Sequence, residues 1–179
     1  MTEKRVKINR APVMTLWAAV VAERFGYDHE TALTLGKAVA GLNAQSKGKR
    51  LGIFSEAKQR PEEYEQKARK PGENSLVTVL GRPVPVMRTT EGIRATAKGD
   101  PVDPQSVQRY LTQKFGEDLA NVQAAMEALA RAFSPEKLAG RAYTLYEEFR
   151  PAIPEGQRGW GAKGELDLSH IRALGKEGG

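Results

Sequence analysis

The sequence predicts a mainly helical α+β domain, and three observations carry that reading. Apolar residues recur at helical spacing through most of the chain, a short β-branched stretch with turn signals interrupts them near the middle, and no internal repeat is visible. The chain has 179 residues, 40% of them hydrophobic and 28% charged, which fits one compact unit with an ordinary core. The helical share alone places it close to the all-α class.

Pro12 suits the first turn of a helix, and Val13, Leu16, Trp17, Val20, Val21 and Phe25 follow at helical spacing until Gly26 stops the run. Asp28 is placed to cap the next helix, and Glu30 favours its first turn. That second helix carries Leu33, Leu35, Val39 and Leu42 and ends near Lys47. Gly36 and Ala40, four apart, form a notch for close approach of another element. The two helices joined by "GYD" read as a helix–turn–helix pair. Residues 55–74 are dense in charge and nearly free of large apolar side chains, with a short helix expected from Pro61 and a stop at Pro71-Gly72.

The period then changes. Strands are expected near 76–80, 84–89 and 93–97, with turns at Gly81-Arg82 and Glu91-Gly92. Pro83 and Pro85 demote the middle strand, because proline cannot donate to a ladder and belongs at an edge. A third major helix opens at Asp103 or Pro104 and closes at Gly116, carrying Val107, Tyr110, Leu111 and Phe115. Leu119, Val122, Met126, Leu129 and Phe133, spaced 3, 4, 3 and 4, define a fourth. Ser134 and Pro135 start a fifth with Leu138, Ala142, Leu145 and Phe149. A glycine-rich loop and a last short helix complete a C-terminal bundle. The organisation is a basic region over 1–100 and a helical region over 101–179, joined as one unit.

The net charge of +6 is uneven. Residues 1–98 hold 18 Lys and Arg against 10 Asp and Glu, a balance of +8, while residues 99–179 come to −2. Such asymmetry points to an acidic partner such as nucleic acid. Lys47, Lys49 and Arg50 cluster where the second helix ends, and Lys37, Arg82, Arg88, Arg94 and Lys98 extend the positive charge. The macrodipole alone accounts for cations at a helix C-terminus. The functional reading makes Lys37, Lys47, Lys49, Arg50, Arg88, Arg94 and Lys98 a phosphate-contacting surface for DNA, as in a bacterial regulator.

A second candidate is "EGQRGWGAKG", residues 155–164, where glycine N–H groups, Arg158, Trp160 and Lys163 suit a small anion. It lacks the Ser or Thr of a Walker loop, and no strand is expected before it. The plainer alternative is that Trp160 plugs the loop onto the helices. Tyr143, Tyr146 and Phe149 offer either core or the face of a homodimer through the C-terminal helices.

Catalytic signals are thin, so a non-enzymatic role is expected. His29 and His170 have no catalytic neighbour at a telling spacing, and Glu62, Glu63, Glu65, Glu147 and Glu148 suit exposed helix surfaces. With no cysteine and no histidine pair, no metal centre or cofactor is expected. No apolar run reaches the roughly 20 residues of a membrane span, and the N-terminus lacks a cleavable leader pattern, so a cytoplasmic location is expected.

Two resemblances accompany this reading. Over residues 11–90 the order helix, helix, short helix, hairpin resembles a winged helix–turn–helix, which implies a groove-entering third helix and a hairpin wing. The helix in that third position begins "PEEYEQ", and its carboxylates would repel phosphate. The stretches "APVMTLWAAVVAERFGYDHETALTLGKAVAGLNAQSKG" and "GWGAKGELDL" together resemble a family of small uncharacterised bacterial proteins. That resemblance implies a single cytoplasmic unit and brings no activity, cofactor or site residue.

Overall fold

The computed structural model describes residues 5–48, 75–97, 100–151 and 163–178. It is α+β and mainly helical, with small antiparallel sheets that exclude the all-α class. In chain order the elements are β1 (Arg5–Asn9), α1 (Arg10–Arg24), α2 (His29–Gly48), β2 (Ser75–Val79), β3 (Arg82–Thr89), β4 (Gly92–Ala97), β5 (Asp100–Pro101), α3 (Pro104–Phe115), α4 (Leu119–Arg131), α5 (Pro135–Phe149), β6 (Lys163–Asp167) and α6 (Leu168–Gly178). A 3-10 turn over Gly116–Asp118 joins α3 to α4. The short helix expected from Pro61 lies outside the described residues.

Local signals set most boundaries. Gly26 adopts φ +108 just past α1, and the Asp28 carboxylate accepts the Thr31 N–H at 3.1 Å to cap α2. Asp103 and Ser134 cap α3 and α5 in the same way, each ahead of a proline in the first turn.

α1 is the centre of the molecule. Every residue from Pro12 to Ala22 is buried, so the helix has an apolar surface all round rather than one stripe. It touches α2, α3, α4, α5, β1 and β2. Trp17, fully enclosed, donates its indole N–H to the Ala142 carbonyl at 2.9 Å and meets Phe149 edge-on at 5.3 Å. Gly36 of α2 sits against the Thr15 carbonyl, and a Cβ there would collide with that oxygen. The ends of α1 are tied as well. Arg10 Nε donates to the Pro151 carbonyl at 2.9 Å, just beyond α5, and Arg24 Nη2 donates to the Phe133 carbonyl at 2.9 Å, just beyond α4.

β1 and β6 form an antiparallel ribbon, with Val6 opposite Leu166 and Ile8 opposite Gly164. The sequence reading contained neither strand. The second sheet has the order β2-β3-β4-β5, close to the expected meander. Its first turn falls on Leu80-Gly81, one residue earlier than expected, with φ +53 and +75 as a two-residue primed turn requires.

β3 is an inner strand, which corrects the expectation that its prolines confine it to an edge. The β3–β4 ladder begins at Val86–Ala95, so Pro83 and Pro85 occupy the half of β3 that pairs with β2. The Pro85 carbonyl turns toward β4 and accepts the Thr96 hydroxyl at 3.3 Å. The missing proline donors therefore point where β4 asks for none.

Side chains of α2 hold the sheet. Thr31 Oγ1 donates to the Ile93 carbonyl at 2.7 Å, and Ala95 N–H donates to Thr34 Oγ1 at 3.0 Å. One contiguous cluster of buried residues runs from Val6 to Leu174 and draws on both halves of the chain.

Gly36→Ala is expected to destabilise the protein by about 1–3 kcal/mol, because backbone rather than a movable side chain blocks the new methyl. Gly140→Ala, in open space on α5, is expected to gain about 0.5–1 kcal/mol. Urea denaturation of the two variants checks both signs. A pH effect follows from Tyr146, whose phenol is pushed up to about 12, mainly by burial. Above its ordinary value of 10 the unfolded chain ionises first, so stability is lost as pH rises from 10 to about 12. The loss should total about 3 kcal/mol, and Tyr146→Phe should flatten it in denaturation curves across that range.

Candidate nucleic-acid interface

The cations singled out in the sequence fall into different environments. Lys37 is exposed on α2, and its Nζ lies 4.7 Å above the centre of the Tyr110 ring of α3. Arg88 is exposed on β3. Lys47 lies within the span of α2, although its side chain is outside the described residues, as are Lys49, Arg50 and Lys98 entirely.

Arg94 is a correction. It is only 5% exposed and cannot join an open phosphate-contacting surface. Its Nη1 donates to the Ile93 carbonyl at 2.9 Å, and its Nη2 reaches Glu30 Oε1 at 3.4 Å. Burying a guanidinium requires such partners, so its positive charge is largely spent inside.

Of the remaining cations, Lys37 lies on α2 and Arg88 on β3 beside the start of that helix. Arg88 faces Ile93 across the β3–β4 ladder, and Ile93 is held by Thr31 at the start of α2. Lys47 is sixteen residues beyond Thr31, about 24 Å along the helix, and Lys37 lies between. The positions are spread along the length of α2 rather than gathered at its end.

Tyr110 joins Lys37 to α3, whose outer face the sequence reading did not use. Val107, Leu111 and Phe115 face the core, while Gln105, Ser106, Arg109, Thr112, Gln113 and Lys114 are exposed. α3 contains no carboxylate, and every other helix among the described residues contains at least one. The nearest acids flank it: Asp103 is engaged as its cap, and Glu117 and Asp118 follow Gly116. The acid-free run from Pro104 to Gly116 was visible in the sequence. Which side of it met solvent was not.

No family model, curated protein or solved structure matches this chain.

The other sequence candidates gain little from the fold. Arg158 and Trp160 lie outside the described residues, and Lys163 begins β6 opposite Asn9. Tyr146 and Phe149 are buried beside Trp17 and Tyr143 is half-buried, so these rings build core rather than an open face for a second copy. Among the described residues, no three His, Asp or Glu stand together as metal ligands, and no helix is long and apolar enough to cross a membrane. A cleft of about 290 Å³ is lined by Val20, Glu23, Arg24, Glu127, Ala130 and Arg131. Its charges are mixed in sign, Arg24 is committed to carbonyls, and the lining residue Glu23 is paired with His29 at 3.0 Å. Glu147 and Glu148 are exposed on α5.

Arg94→Met is expected to cost about 1–3 kcal/mol in urea denaturation, through the lost bonds to Ile93 and Glu30. Lys37→Ala, at an exposed site, should change stability by less than about 0.5 kcal/mol.

Proposed function

We propose that this protein binds nucleic acid through the surface formed by α2 and α3. The observation that carries this reading is the stacking of Lys37 on Tyr110, which sets an exposed cation of α2 beside the acid-free helix α3. Positive charge without interspersed carboxylates is what a polyanion requires, because each cation then displaces a condensed counterion from phosphate. α1, α2 and the β2–β3–β4 sheet also succeed one another as the first two helices and the wing of a winged helix–turn–helix do, the position of its third helix falling outside the described residues. In that scheme the β3–β4 hairpin is the wing and Arg88 its phosphate contact, while the presented helix is α3, which departs from the winged order by following the hairpin in the chain. A regulatory or DNA-associated role follows from this reading.

Binding of the purified protein to a labelled, arbitrary DNA duplex, followed by anisotropy across a range of salt, tests it. Affinity should fall steeply as salt rises, and replacing Lys37 and Arg88 together by alanine should lower the slope by about 2. An unchanged slope would remove these residues from the interface. Absence of binding even at low salt would remove the function.

A further inference from the structure

We infer that α3 is the element that enters the major groove of duplex DNA, reading base edges through Gln105, Arg109 and Gln113. This rests on the nucleic-acid reading above and goes beyond it to the partner's form and to the residues that set specificity.

Rotation of the helix is fixed by what it buries. With Val107, Leu111 and Phe115 against the core, a turn of 100° per residue directs Arg109 and Gln113 directly away from the protein, and Gln105 lies one turn before Arg109. All three are exposed, so the fold leaves them unused. Their spacing of four makes one continuous stripe about 12 Å long on the outermost line of the helix. Ser106 and Thr112 flank it, with Thr112 Oγ1 turned back to the Gln108 carbonyl at 2.9 Å.

The chemistry of the stripe is that of base recognition. Arginine forms a bidentate pair with guanine O6 and N7, and glutamine forms one with adenine N6 and N7. A solvated surface helix needs no such selection and commonly mixes in carboxylates, as α5 does with Glu136, Glu147 and Glu148. On α3 the charges beside the stripe are Lys114 and, above Tyr110, Lys37, both placed on one flank where a phosphate strand would run. The Asp103 carboxylate accepts the Gln105 N–H at 3.0 Å, which occupies it at the end of the helix. The partner is a DNA duplex because the B-form major groove admits a helix, whereas the A-form groove of RNA is too deep and narrow.

The test uses the full chain. A pool of duplexes with a randomised centre is selected for binding, and affinities are then measured on the selected duplex and on a scrambled one. Arg109→Lys keeps the charge but cannot make the bidentate pair. It should weaken binding to the selected duplex by about ten-fold to a hundred-fold and leave the scrambled duplex within about three-fold. Q105A and Q113A should each relax selection at one position of the recovered sequence. Equal weakening of both duplexes by R109K, weakening of neither, or a preference for single-stranded RNA would overturn the assignment of α3 while leaving the protein a nucleic-acid binder. Absence of salt-dependent binding to any of these would overturn the nucleic-acid reading itself.

Discussion

The complete burial of α1 is the constraint on which the rest depends. A helix with no polar side cannot exist at a surface, so every other layer is arranged as its wall. Its neighbours come from both halves of the chain, and its hydrogen bonds reach as far as Pro151. Arg10 and Arg24, at its two ends, each end in the C-terminal carbonyls of a different helix, where a cation also suits the local dipole. Trp17 adds a third fastening in the middle. The core is accordingly a single cluster, with α4 and α5 forming part of the wall around α1.

This placement decides what faces water. With α1 inside, α2 and α3 are among the helices that carry charge outward, and the close approach at Gly36 keeps α2 tight on the core. The threonines of α2 then fix β4 by bonding its backbone groups, so the sheet has a defined position relative to Lys37 and Arg88. Of the basic residues in the first half, Lys37 and Arg88 stay exposed while Arg94 withdraws into the interior.

Much of the fold was legible from local chemistry. Gly26, Asp28, Asp103, Ser134 and Pro135 marked helix ends because caps act within a few residues, and the 3-4-3-4 spacing from Leu119 to Phe133 marked a core face. The β1–β6 ribbon was not legible, since each strand is five residues long and its partner lies at the other end of the chain. The alternation of Val6 and Ile8 with Lys7 is present, but it means little until Leu166 stands opposite. Arg94 was misplaced for a related reason: strand periodicity assigns a face but not what covers it, and Glu30 and the Ile93 carbonyl supplied a niche for its guanidinium. The outer stripe of α3 needed the fold to show which residues were left over after packing.

The prolines of β3 have a consequence for the protein among its own copies. Where a ladder stops partway along an inner strand, the unpaired stretch is a template on which a strand from another molecule can grow. Pro85 turns its carbonyl toward that side, and Pro83, two residues away, faces the same direction. Neither offers an N–H. With the Pro85 carbonyl already held by Thr96, an incoming strand would find no N–H donor at either proline, and intermolecular sheet extension, the first step toward fibrils, is interrupted at that site.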